Sequence, residues 1–118
     1  MSDQSITIFH NPGCGTSRNV LKAIKDAGHA PMIVPYLERG WTLAVLKTLL
    51  KDMNARPRDL LRARGTSAEE LGLTQPTATD DEILAAMIAH PVLVNRPIVV
   101  TAKGTRLCRP AEVLAEIL

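Results

Sequence analysis

With 118 residues, 46% of them hydrophobic and 22% charged, the chain is sized for a single domain over residues 1–118 around one core, which excludes a disordered chain. A net charge of +2, with only Phe9, Tyr36 and Trp41 as aromatics, argues against a nucleic-acid partner. No apolar run approaches the roughly eighteen residues of a membrane span, Met1-Ser2-Asp3-Gln4 lacks the basic start of an export signal, and two cysteines make no disulfide scaffold. A reducing, cytoplasmic setting away from membranes is expected.

The chain opens on residues 5–9, which alternate and branch like a strand. After the turn His10-Asn11-Pro12-Gly13-Cys14-Gly15-Thr16-Ser17-Arg18, the set Val20, Leu21, Ile24 and Ala27 recurs at helical spacing until Gly28 stops it. Met32-Ile33-Val34, between Pro31 and Pro35, completes a βαβ unit with parallel strands. Thr42 can cap a helix that carries Leu43, Leu46, Leu49, Leu50 and Met53 and stops at Asn54. Pro57 allows a short helix through Arg62. Ser67-Ala68-Glu69-Glu70 and Thr79-Asp80-Asp81-Glu82 both read as capping boxes, the second leading into Ile83, Leu84, Met87 and Ile88.

Ile98-Val99-Val100-Thr101 fits a buried strand, with Pro97 at its start, where a missing N–H is tolerated and a cis bond is an option. Lys103-Gly104-Thr105 offers a turn into a short strand Arg106-Leu107-Cys108, and Pro110 opens a terminal helix with Val113, Leu114, Ile117 and Leu118 facing inward. This order predicts an α/β, thioredoxin-like fold: a mixed four-stranded sheet with a helical insert between the second and third strands.

Cys14 carries the chemistry. It stands at the first turn of a helix, where unpaired N–H groups and the positive end of the macrodipole favour an anion. Such sites lower a thiol's pKa from roughly 8.5 into the range of about 3.5–7.5. The competing reading is a small buried hydrophobe, but flanking glycines and Pro12 provide little apolar wall. Ser17 occupies the position where a dithiol oxidoreductase would place its second cysteine, so electrons must come from outside or from Cys108, which reads better as a strand residue. A phosphatase-type loop would need arginine at position 20, where Val20 stands. No zinc-like spacing links Cys14, Cys108, His10, His29 and His90, and no metal is expected.

His10 reads either as a cationic neighbour of the thiolate or as a polar strand end, while His29 and His90 flank helix C-termini. Arg56, Arg58, Arg64 and Arg106 read as solvated surface. Arg96 differs because it precedes Pro97, Arg109 because it closes the short strand, and Arg62 because the short helix could carry it over the same space. Guanidinium forks around a thiolate would bind a tetrahedral oxyanion.

His10 through Asn19, Leu60-Leu61-Arg62, and Asn95-Arg96-Pro97-Ile98-Val99-Val100 through Gly104-Thr105-Arg106-Leu107-Cys108-Arg109-Pro110 together resemble the glutathione/glutaredoxin-coupled arsenate reductases, the ArsC family. The resemblance covers essentially the whole chain. It implies reduction of arsenate to arsenite by attack of Cys14 on arsenic, with the oxyanion bound by Arg62, Arg96 and Arg109. His10, Gly15, Thr16, Ser17 and Pro97 would support the site. No cofactor would be bound; glutathione and glutaredoxin would act as external reductants and partners. The same wider family implies a second reading, a thiol redox regulator that binds RNA polymerase or a glutathione-dependent thiol reductase with another substrate.

Overall fold

A computed structural model describes residues 6–118; the acidic N-terminal stretch and the first residue of the expected opening strand lie outside the described residues. The chain divides into two compact units, residues 1–39 with 96–118, and residues 40–95.

The first unit is the sheet. Strand β1 (Thr7–His10) leads through the Cys14 turn into helix α1 (Gly15–Asp26), and β2 (Met32–Pro35) returns parallel to β1, with Ile8 beside Ile33. After the second unit come β3 (Ile98–Thr101) and β4 (Gly104–Leu107), each antiparallel to its neighbour, giving the order β2-β1-β3-β4. This mixed four-stranded sheet, with helices between β2 and β3, is the expected thioredoxin-like arrangement. Its core gathers Ile6, Ile8, Val20, Ile24, Val99 and Cys108 with Leu114 and Ile117 from the C-terminal segment.

Local chemistry sets the boundaries. Helix α1 closes where Gly28 (φ +92°) takes a left-handed conformation open to glycine, so that His29 N–H reaches the Ile24 carbonyl and Gly28 N–H that of Lys25. The β3–β4 turn comes earlier than expected: Thr101 pairs with Gly104, so β4 begins at Gly104, two residues before Arg106, and ends before Cys108. The C-terminal segment Ala111–Glu116 is a 3-10 helix rather than an α-helix. A three-residue turn stacks positions three apart, and buried Leu114 of this helix and buried Ile117 at its C-cap have that spacing. One short helix had no signal in the sequence: α2 (Tyr36–Arg39), directly after Pro35.

The second unit is helical. Helix α3 (Leu43–Met53) starts at Thr42, whose hydroxyl accepts from Val45 N–H at 3.2 Å, and stops at Asn54 in the left-handed region (φ 54°), as its sequence indicates. Helix α5 (Asp80–Ala89) has the full capping box: Glu82 N–H donates to the Thr79 hydroxyl at 3.1 Å and Thr79 N–H to the Glu82 carboxylate at 2.8 Å. The box expected at Ser67 opens no helix. Leu73 N–H bonds to the Ala68 carbonyl and Gly72 adopts φ +74°, which closes the chain after one turn.

Helix α4 (Pro57–Leu60) is also shorter than expected and leaves Arg62 beyond its end. The backbone has a better offer there: Leu61 pairs with Val94, Arg62 N–H donates to the Leu93 carbonyl at 2.7 Å, and Asn95 N–H to that of Leu60 at 2.8 Å. Buried Leu46, Leu50, Leu60, Ile83, Met87 and Leu93 belong to this unit.

Candidate active site

Sheet register assembles the site. Ile98 pairs with Leu107, and one step further along the same hairpin Cys108 N–H donates to the Pro97 carbonyl at 2.9 Å. One more step sets Arg96 opposite Arg109. Because Phe9 of β1 pairs with Ile98, the loop that follows β1 leaves the sheet at this same end. Three separated stretches of sequence thus deliver Cys14, Arg96 and Arg109 to one place. Both Arg96-Pro97 and Arg109-Pro110 are cis peptides.

Cys14 is the N-cap residue of α1, extended at φ −101° and ψ 123°, and its carbonyl accepts the first helical bond from Arg18 N–H at 3.0 Å. The residue is buried, 8% exposed. The Arg109 guanidinium donates from Nη1 to Cys14 Sγ at 3.5 Å and also to the Arg96 carbonyl at 3.1 Å, so the group that meets the sulfur is itself held by the neighbouring strand end. Burial pushes the Cys14 thiol up. The Ser17 backbone N–H and the guanidinium groups of Arg96 and Arg109 outweigh it and bring the pKa down from 9.0 to about 7. Helix-start donors and two cations therefore do together what the sequence assigned mainly to the helix.

The loop is held from within. Asn11 is buried; its side-chain oxygen accepts from Gly13 N–H at 2.9 Å, while its own N–H donates to Ser17 Oγ at 3.1 Å. A side chain at Gly13 would bring its Cβ to 3.3 Å from that Asn11 oxygen. His10 Nδ1 lies 2.6 Å from Ser17 Oγ. Burial first, then the charges of Lys25 and Arg18, lower the His10 pKa. This direction favours the neutral imidazole at pH 7 and weighs against the cationic one of its two sequence readings. A neutral imidazole that accepts the Ser17 hydroxyl proton fits the pair, since the hydroxyl oxygen already accepts from Asn11. Asn11 was missed as a site residue; its signal was an amide directly before Pro-Gly, a pattern that favours a side-chain-to-backbone turn.

Gly15 and Thr16 open α1, and Pro97 is buried beside β3. Arg62 belongs to the second unit, where its Nε donates to the Arg64 carbonyl at 3.1 Å and its Nη1 to Asn95 Oδ1 at 3.5 Å. Arg58 departs from the surface reading: half-buried, it donates to the Gln75 and Ala78 carbonyls and ties a loop. Cys108 is fully buried in the sheet core, and burial together with the Glu116 charge pushes its thiol up to about 12. Among the described residues no three His, Cys, Asp or Glu side chains cluster as a metal site would require, and no helix is long and apolar enough to cross a membrane.

The ArsC family model matches residues 9–117, a span that runs through both units and includes every residue named above for the site. The chain belongs to the ArsC family. It is 53% identical over 114 residues to an arsenate reductase of Escherichia coli, covering 97% of this chain and 81% of that protein. An arsenate reductase of Synechocystis is 49% identical over 118 residues, covering 100% of this chain and 82% of the relative. Among solved structures, an arsenate reductase from Vibrio cholerae superposes with a TM-score of 0.91 at 37% identity, covering 98% of each chain.

Proposed function

We propose that this ArsC-family chain reduces arsenate to arsenite in the cytoplasm, with Cys14 as nucleophile and glutathione and glutaredoxin as the source of electrons. The observation that carries the reading is the Arg109 guanidinium 3.5 Å from a Cys14 sulfur whose pKa is about 7. A thiolate under a fixed cation is an arrangement suited to attack on an oxyanion that a free thiolate would repel.

The thiolate attacks arsenic, an As–S bond forms, and one arsenate oxygen leaves as water after taking up protons. Arg96 and Arg109 hold the remaining oxygens and offset the charge that shifts onto them. A glutathione thiol then displaces a second arsenic-bound oxygen, which leaves as water, and a glutaredoxin thiol attacks the glutathione sulfur, so that a mixed disulfide forms as the arsenic–glutathione bond breaks with its electron pair left on arsenic. Two electrons thus pass from the two thiols to arsenic, arsenic(V) becomes arsenic(III), and water then displaces the Cys14 sulfur from arsenic, releasing arsenite with Cys14 restored as a thiolate.

Ser17, oriented by neutral His10 and by Asn11, keeps its backbone N–H toward the sulfur. His10 thus acts as a positioning residue for Ser17 rather than as a proton acceptor from Cys14. Arg62 matches the family's third oxyanion arginine and is a candidate substrate ligand on that resemblance. An internal disulfide has no role here, because Cys108 is buried and protonated.

The test is NADPH oxidation in a coupled mixture of arsenate, glutathione, glutaredoxin and glutathione reductase. Wild-type protein should turn over only with arsenate present, and Cys14→Ser should fall to background. Absence of arsenate-dependent turnover with every glutaredoxin tried, together with capture of RNA polymerase subunits, would replace this reading with that of a redox regulator.

A further inference from the structure

An external thiol must reach the arsenic held on Cys14, because the only other sulfur among the cysteines is buried with its thiol pushed up to about 12. Beside the Cys14 loop lies a cleft of about 420 Å³ in the sheet unit, between Pro12 and the outer face of α1. That volume is within the range of about 300–1,000 Å³ of small-molecule sites. Arg18, Lys22 and Lys25 line it. Positions four and seven apart fall on one helix face, so the three cations form a row that starts one turn after Cys14 and rises about 10 Å along the axis.

One carboxylate belongs to the row: Asp26, 2.6 Å from Lys22 Nζ. Arg18 is steadied by a 2.8 Å bond to the Pro12 carbonyl. Leu21 supplies an apolar patch. The positive field of the cleft is expressed in its lining, since both Lys25 and Arg18 disfavour the charged form of His10.

From this geometry, and resting on the reading of the site given above, we infer that the cleft along Arg18, Lys22 and Lys25 is the docking subsite for the low-molecular-mass thiol. Its occupant is an anionic thiol peptide of glutathione type. Such a molecule carries two carboxylates and one ammonium, and the cleft offers cations in excess with a single carboxylate at its far end. A three-residue peptide spans about 10 Å when extended, which matches the row. The γ-glutamyl head would lie against Lys22, Lys25 and Asp26, the carboxylate on the lysines and the ammonium on Asp26, so that the thiol turns back toward Cys14.

The experiment compares wild type, the double variant Lys22→Glu/Lys25→Glu, and the control Lys47→Glu/Lys51→Glu, which makes the same charge change on exposed positions of α3. With glutathione varied in the coupled assay, the first double variant should raise the glutathione KM about tenfold or more, leave the arsenate KM within about twofold, and lose most of the wild-type dependence of that KM on salt. The control should do none of this. In parallel, S-methylglutathione, which binds without reacting, should shift backbone amide resonances of residues 18–26 in wild type and not in the double variant.

An unchanged glutathione KM with normal turnover overturns the inference, as does a set of shifted amides elsewhere. A raised glutaredoxin KM with an unchanged glutathione KM overturns it too, and assigns the row to protein docking. Failure of wild type to reduce arsenate is a different result: it removes the functional reading, and the S-methylglutathione titration still decides whether the cleft binds the thiol.

Discussion

Both cysteines of this chain are buried residues, and they are opposites chemically. Cys14, 8% exposed, has its thiol lowered to about 7, whereas Cys108, at 0%, has it pushed up to about 12. Burial acts in the same direction on both. At Cys108, packed among Ile8, Val99 and Ile117 with a 3.8 Å contact to the Arg106 carbonyl, burial is the largest cause and the Glu116 charge adds to it, whereas at Cys14 a helix-start N–H and two guanidinium groups outweigh burial. Depth therefore decides thiol reactivity only where no donors are aimed at the sulfur to offset it.

The widest gap this comparison predicts is in alkylation. At pH 7 about half of Cys14 is thiolate, and the folded-state fraction for Cys108 is lower by roughly four orders of magnitude or more. Iodoacetamide should therefore label Cys14 with a rate that rises through a midpoint near pH 7, and label Cys108 only under denaturing conditions. Peptide mapping of the labelled sites reads this directly. Equal midpoints for the two sulfurs would remove the argument from donors.

Next in size is the loss of a donor. Arg109→Ala takes away the guanidinium at 3.5 Å and should move the Cys14 alkylation midpoint upward. It should also lower kcat/KM for arsenate by roughly 10²–10³, the scale of one preorganised donor to a developing charge. Arg96→Ala should act in the same direction. Arg58→Ala, which only unties the loop at Gln75 and Ala78, should leave the arsenate KM unchanged and lower Tm instead. Equal kinetic effects for the three would reject the assignment of the cations.

These contrasts also mark what the sequence made legible. The first three patterned strands, a Pro-Gly turn before a cysteine, and the capping residues Thr42 and Thr79 are local signals that produced their elements, whereas the short last strand is displaced toward the turn. The pairing of Arg96 with Arg109 depends on register, a long-range property, yet Pro97 marked the first and the end of the short strand marked the second. The misses share another cause. At Leu61 and at Ser67 the backbone found partners from distant or turn segments that no local pattern announces, and α4 and the Ser67 box stopped short accordingly. His10 was ambiguous for the same reason, because the burial that chiefly lowers its pKa, and the Arg18 and Lys25 charges that add to it, come from segments beyond its own strand.

The smallest effect separates structure from chemistry at the second sulfur. Cys108→Ala leaves a small void in a core closed by Leu114 and Ile117. It should cost about 1–2 kcal/mol, at the low end for removing buried volume. Cys108→Ser keeps the size but places a hydroxyl there. The Arg106 carbonyl, 3.8 Å from the present sulfur, is too distant to receive a hydroxyl proton without a shift, so Ser should cost as much as Ala or more. Denaturant unfolding gives both numbers. Arsenate turnover per folded molecule should stay at the wild-type value in each, because a protonated sulfur in the core has no electrons to give; a loss of turnover that exceeds the loss of folded protein would return Cys108 to the reaction.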